Sequence, residues 1–304
     1  MSIPPEAANG RPRVGYLGPE GTFSEEALLA SAAPDAVEPV AEPTIYDAVA
    51  ELRRGQLEWA VVPIENSLEG SINVTLDLLA EERGGIAIVG EALLRVRHSL
   101  IAAEEVELGE ILTVLTHPQV PGQCTRFLRE RLPGAEVVPA SSTAEAVRAV
   151  ARAGDRSRAA LGTTLAARIY GAHVIREGVE DDEANETRFV WLAREGDATM
   201  HAPLRATGEG EWRTSLVFWG LGAERPGSLV RCLDEFARRE INLTKIESRP
   251  RRDGMGSYMF FADLAGRADD PNLSAAIAGV GAMCGEIRVL GTYRAAARAA
   301  PTGA

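Results

Sequence analysis

A chain of 304 residues, 45% hydrophobic and 25% charged, is long enough for two domains with sizeable cores and ordinary in composition for a globular protein. Its formal net charge of −12 argues against nucleic acid as a partner, and an anionic ligand would need a locally positive pocket. No apolar run approaches a membrane span, and residues 1–12 lack a basic-then-apolar leader. The separated Cys124, Cys232 and Cys284 have no metal-type spacing, so a cytoplasmic chain with reduced thiols is expected, with no metal or membrane partner.

Residues 1–12 are small, polar and Pro-bearing, which predicts a frayed arm. Val14–Leu17 reads as a first strand running into Gly18-Pro19-Glu20-Gly21-Thr22-Phe23-Ser24 and a helix over 25–31. Glycines and hydroxyls before a helix leave backbone N–H groups open to an anion, or form a plain turn with Ser24 as N-cap. Thr44 caps a helix from Ile45 to Arg54 that Gly55 ends. Leu57–Ile64 is a second strand, delivering Glu65-Asn66-Ser67-Leu68-Glu69-Gly70-Ser71 to a helix over 72–81.

Strands are predicted at Ile86–Val89, Leu94–Ile101 and Ile111–Leu115, the last leading into Thr116-His117-Pro118-Gln119 and a helix with Cys124 and Phe127. Ser142 and Glu145 form a capping box for a helix through Ala153; a short strand at 159–162 and a helix at 164–170 follow. From Glu180 an acidic and amide run stops at Thr187, and Phe189-Val190-Trp191-Leu192 reads as a buried strand. A hydroxyl at such a strand mouth is placed for chemistry. The plainer alternative is a turn with a solvated acidic face.

Strands alternating with helices over 13–194 predict an α/β domain with a largely parallel sheet, better fitted as two lobes around a cleft than as one large sheet. Residues 195–212 read as a linker. The order β-α-β-β-α-β over 213–294, with a hairpin turn at Asp253-Gly254-Met255-Gly256, predicts an α+β ferredoxin-like module, and the Ala- and Arg-rich tail reads as disordered.

Together, Gly18–Ser24, Pro63–Ser67, Thr116–Pro118, Ser142–Ala144 and Thr187-Arg188-Phe189 resemble the prephenate dehydratase family, in the family's order. The module over 214–293, with Gly227-Ser228-Leu229-Val230 and Glu247-Ser248-Arg249-Pro250, looks like that family's ACT regulatory domain. Ser228 stands where the family usually has Ala. The resemblance implies a catalytic domain shaped like type II periplasmic binding proteins. It also implies conversion of prephenate to phenylpyruvate, water and carbon dioxide without a cofactor.

The resemblance gives Thr187 the catalytic role. A threonine hydroxyl is too weak an acid to give up its proton freely, so Thr187 would polarise the leaving hydroxyl, and Glu65 would be the proton source if the cleft desolvates it. The alternative leaves Glu65 as a helix-start residue. Thr22, Asn66 and Ser67 are candidate donors to the substrate carboxylates, as are Ser142 and Thr143, which also read as plain caps. Arg188 either supplies a bidentate charge or, if the strand begins at Thr187, points away as a structural ion-pair residue. Phe189 either walls the substrate ring or belongs to the core.

The resemblance further implies that Gly227–Val230, with Asn242 and Glu247–Pro250, binds L-phenylalanine across a subunit interface in a feedback-inhibited homodimer or homotetramer. The alternatives are arogenate dehydratase and a non-catalytic amino-acid sensor.

Overall fold

The computed structural model describes residues 10–81, 85–196, 201–205, 210–222, 226–251, 254 and 256–296. Most of the expected arm, parts of the linker, Asp253 and Met255 of the hairpin turn, and the tail beyond 296 lie outside the described residues. The chain separates into two units, Met1–Leu76 with Leu93–Phe189 and Asp77–Ala92 with Val190–Ala304.

The elements run β1 (Arg13–Leu17), α1 (Phe23–Ser31), β2 (Glu38–Glu42), α2 (Ile45–Arg54), β3 (Trp59–Asn66), β4 (Gly70–Ser71), α3 (Asn73–Ala80) and β5 (Ile86–Arg95). Next come β6 (Ser99–Ala102), β7 (Thr113–Thr116), α4 (Val120–Gln123), α5 (Thr125–Arg131), β8 (Glu136–Pro139), α6 (Thr143–Ala153), β9 (Arg158–Gly162), α7 (Thr164–Tyr170), β10 (His173–Arg176) and β11 (Glu186–Arg194). The remainder is β12 (Trp212–Trp219), α8 (Ser228–Ala237), β13 (Leu243–Pro250), β14 (Tyr258–Ala265), α9 (Pro271–Gly281) and β15 (Glu286–Arg294).

One sheet has the order β2-β1-β3-β11-β5 with β4 on β3, and the next has the order β10-β6-β9-β7-β8. These are the two lobes expected of an α/β domain, but the sheets are mixed. β1 is parallel to β2 and β3, and β7 to β8 and β9, whereas β6 is antiparallel to both β9 and β10. Apolar periodicity reveals a buried strand without its direction, which is why the sequence reading was too uniformly parallel. In β6 and β9, Leu100, Ala102, Ala159 and Leu161 enter one core cluster while Ile101 and Ala160 enter another, the alternation of a strand covered on both faces.

Local signals act largely as predicted. Thr44 caps α2 through its hydroxyl, and Gly55, at φ 77°, closes the helix in the left-handed region. The N-cap of α1 is Thr22, however, and not Ser24: the Thr22 hydroxyl accepts from the Glu25 N–H.

The chain passes between the lobes twice. The predicted strand over 94–101 breaks, because β5 ends at Arg95 and β6 begins at Ser99. The intervening segment lies beside the acidic run, with Val96 N–H donating to the Asn185 carbonyl at 2.8 Å and Val179 N–H to that of His98 at 3.0 Å. The run is not merely a solvated face. The Glu180 carboxylate is buried, accepting from the His98 N–H at 2.9 Å and pairing with Arg97, and Asp181 accepts from the Arg126 N–H in the first turn of α5.

In the second unit the sheet order is β13-β14-β12-β15, antiparallel throughout, with α8 and α9 supplying Cys232, Phe236, Leu273, Ala276 and Val280 to a core with Leu216, Phe218, Ala262 and Leu264. This is the predicted β-α-β-β-α-β module. Residues 77–92 are tied to it by specific pairs. Arg249 meets Asp77 at 2.8 Å, Arg288 donates to the Leu79 and Glu81 carbonyls at the end of α3, and Arg213 binds the buried Glu91 carboxylate at 2.6 Å. A side chain at Gly291 would collide with the Ile88 carbonyl, so this glycine permits close packing of β15.

Candidate active site and effector pocket

In the first unit a cavity of about 450 Å³ opens between the lobes. Thr22 and Phe23 at the start of α1, Asn66 at the end of β3, Ser142 and Thr143 at the start of α6, and Thr187 of β11 all line it. So do Val96 and His98 of the first crossing and Gln119, Val120 and Gln123 around α4. Lobes meet elsewhere too: the Thr163 hydroxyl donates to the Gly21 carbonyl and the Tyr170 hydroxyl to that of Glu20.

Polar groups in the wall determine one another's direction. The Asn66 side-chain carbonyl accepts from the Leu68 and Glu69 N–H groups, at 2.9 and 3.0 Å. Its amide nitrogen must therefore face Asn185 Oδ1 and Thr187 Oγ1, each at 2.9 Å. Asn185 then donates to Gln123 Oε1 at 3.1 Å, and Gln123 donates to the Glu69 carboxylate at 3.1 Å. Gln119 donates to the same carboxylate. Gln123 Oε1 also meets His98 Nε2 at 3.0 Å, so that nitrogen carries the proton. Burial pushes the His98 imidazole below its ordinary pKa, with the Gln123 bond and the Glu180 charge opposing, and its buried Nδ1 has no partner.

Thr187 is 8% exposed, and its oxygen accepts from Asn66, which leaves the hydroxyl proton available to a ligand. Among the described lining residues no Arg or Lys appears; the titratable ones are Glu69, His98 and His117. The N-termini of α1 and α6 open on the cavity, and a helix N-terminus carries a positive potential and first-turn N–H groups without intrahelical partners. Among the described residues no His, Cys, Asp and Glu cluster is suited to a metal ion, and no helix is long and apolar enough to cross a membrane. Cys124 is buried, and that burial pushes its thiol up to about 12.

Five of the predicted residues, Thr22, Asn66, Ser142, Thr143 and Thr187, come together in this wall. Four do not line it. Strand alternation from Asn66 and Thr187 turns Glu65 and Arg188 to the opposite face, where they pair at 3.6 Å. The Glu65 side chain remains 37% exposed, not the desolvated acid that a proton source would require. Arg188 takes the structural ion-pair alternative. Ser67 clamps β3 to β11 by accepting from the Glu186 N–H, and Phe189, 2% exposed, lies in the core. Sequence reading missed His98, Gln123, Glu69 and Asn185.

Comparison with known proteins bears on what the wall does. The Prephenate dehydratase family model matches residues 14–197, and the ACT domain model matches residues 221–282. The chain belongs to the prephenate dehydratase family. A prephenate dehydratase of Mycolicibacterium vanbaalenii is 39% identical over 295 residues, covering 93% of this chain and 91% of that one. The crystal structure of the Arthrobacter aurescens prephenate dehydratase in complex with L-Phe superposes with a TM-score of 0.82 at 34% identity, covering 95% and 93% of the two chains. A quorum-quenching acylase, GqqA, superposes with a TM-score of 0.81 at 27% identity, covering 93% and 98%. Since a fold alone does not choose a reaction, the family match carries the assignment of this chain as a lyase of phenylalanine biosynthesis.

The second unit contains the ACT domain, and a pocket of about 640 Å³ opens in it. Gly227, Ser228, Leu229 and Val230 line it with Gly220, Leu221, Gly222 and Gly256–Tyr258 and Phe260. Gly227 is the N-cap of α8 at φ 79°, a conformation that side chains other than glycine rarely adopt. The other predicted effector residues are not in this lining. Glu247, Ser248, Arg249 and Pro250 belong to β13, the edge strand, where Arg249 binds Asp77; the Asn242 carbonyl accepts from the Ala265 N–H.

Proposed function

We propose that the first-unit cavity is where prephenate loses its ring hydroxyl and ring carboxylate, with Thr187 holding the departing hydroxyl. The observation that carries this reading is the Asn66–Thr187 pair. Asn66 occupies the acceptor side of the Thr187 oxygen, so the O–H is left to donate into the cavity. Hydroxide is a poor leaving group, and a preorganised donor at its oxygen stabilises the negative charge that develops there as the C–O bond breaks. The electron pair comes from the bond to the ring carboxylate, which leaves as carbon dioxide, and aromatisation drives both cleavages.

Prephenate carries two carboxylates, and the N-termini of α1 and α6 offer two sets of backbone donors beside Thr22, Ser142 and Thr143. Phe23, Ile72, Val96 and Val120 form apolar wall for the ring. Neutral donors serve here better than arginines. An arginine clamped on the ring carboxylate would stabilise that anion in the ground state and oppose its loss as a neutral gas.

The ACT-domain pocket suits phenylalanine as a feedback effector: its lining is largely apolar, and the first turn of α8 can receive an amino-acid carboxylate. The L-Phe complex of the Arthrobacter aurescens relative supports the same ligand. In this reading Glu247–Pro250, which are outside this lining, are presented to Gly227–Val230 by a second copy in a homodimer or homotetramer.

The test is phenylpyruvate formation from prephenate, with and without phenylalanine, by wild type and Thr187→Ala. The expected result is wild-type turnover that phenylalanine suppresses and a loss of roughly 100-fold or more in the variant. Turnover of arogenate but not prephenate, or of neither, would overturn the reading.

A further inference from the structure

Asn185 is 1% exposed and absent from the cavity wall, yet it joins three parts of the site. Its backbone carbonyl is held by Val96 of the first crossing, its side-chain oxygen by Asn66, and its side-chain N–H by Gln123 of α4. The hydrogen-bond directions are fixed from two independent ends. At one end the Leu68 and Glu69 N–H groups require an oxygen from Asn66; at the other the Glu69 carboxylate requires an N–H from Gln123. Asn185 is the member between them, and only a neutral group that accepts on one side and donates on the other satisfies both neighbours.

We propose that Asn185 is a positioning residue for the reaction at Thr187. By accepting from Asn66 it keeps that amide N–H aimed at the Thr187 oxygen, which reserves the threonine proton for the substrate hydroxyl. By donating to Gln123 it holds the Gln123 oxygen against His98 Nε2, which fixes the imidazole as the Nε2–H tautomer with a bare Nδ1. The proposal rests on the assignment of Thr187 to the leaving hydroxyl.

Asparagine and aspartic acid give this idea a distinctive test. A protonated aspartic acid keeps both functions, one oxygen accepting and one O–H donating, whereas an aspartate accepts only. In the 304-residue chain, Asn185→Ala is expected to lower kcat roughly 10- to 100-fold at every pH, with KM for prephenate within about twofold, because a slightly misaimed group costs rate before binding. Asn185→Asp is expected to match that deficit at high pH and to recover kcat as pH falls, with thermal melts establishing that the variant is folded throughout. Wild-type kcat in both variants, a rise in KM with kcat unchanged, or an Asn185→Asp deficit independent of pH would overturn the proposal.

Should either variant fail to fold, nitrogen-15 spectra of the wild-type imidazoles decide. His98 protonated on Nε2 is expected, and a proton on Nδ1 would break the chain of directions. This readout also separates the two assignments, since failure of the Thr187 reading appears as full turnover by Thr187→Ala while His98 remains Nε2–H.

Discussion

The cavity of the first unit and the pocket of the ACT domain are built on opposite plans. In and behind the cavity wall, Thr187, Asn66, Asn185, Gln123, Glu69 and His98 assign one another's donors and acceptors before a ligand arrives. The ACT pocket is mainly apolar and open, with Val230 and Tyr258 exposed and α8 starting on a glycine. The first arrangement lies within one chain and suits a transition state that tolerates little misplacement. The second offers a largely apolar surface beside the start of α8. Chemistry requires a preorganised wall; regulation requires a site whose occupancy changes something.

The largest expected effect is on the cavity side. Asn66→Ala removes the donor to Thr187 and the partner of Asn185 together, and should lower kcat roughly 100-fold while phenylalanine still binds, as titration calorimetry would register. Loss of phenylalanine binding in that variant would erase the distinction between the two regions. An intermediate effect is expected in the ACT pocket. Gly227→Val forces a β-branched residue to φ 79° at the mouth of α8, and should weaken phenylalanine inhibition by roughly tenfold or more. Uninhibited turnover should stay within about twofold, and an equal loss of turnover would refute the assignment of this glycine to the effector pocket alone.

The smallest effect concerns Glu25, buried in α1 below the Gly18–Ser24 turn, where it accepts from the Gly21 N–H. Burial raises its pKa above the ordinary value, with Gly21 opposing and Glu20 adding to the rise, so the folded protein holds this proton more tightly than the unfolded chain. Its contribution to stability is complete below the unfolded value near 4.5 and is lost as pH rises through the folded one. Glu25→Gln keeps an acceptor for Gly21 without the charge, so its Tm should exceed that of wild type by a margin that widens with pH. A margin constant across pH would contradict this account.

Much of the site was legible because its residues stand at borders that sequence marks well. Thr187 closes an acidic run before a buried strand, Asn66 ends one, and Thr22, Ser142 and Thr143 begin helices. Period-two alternation from Thr187 already offered Arg188 as an ion-pair residue on the other face, and the same alternation from Asn66 sends Glu65 there, where the two pair. Asn185, Gln123 and Glu69 were not legible as a set, since they meet only when the chain has crossed twice between lobes. A hint existed for Asn185 alone, an amide two residues before Thr187 in an otherwise acidic run. In the second unit, the alternation of elements announced the module, whereas the attachment of residues 77–92 depends on arginine pairs that no local pattern reveals.

The measurement that tests the central claim most directly is kcat for Thr187→Ser beside Thr187→Val. Valine preserves the shape of threonine and removes only the hydroxyl, while serine preserves the hydroxyl and removes only the methyl. If a hydroxyl polarised by Asn66 holds the leaving group, serine should stay within about tenfold of wild type and valine should fall by roughly 100-fold or more. Equal activity in the two variants, in either direction, would mean that Thr187 shapes the wall without taking part in the reaction.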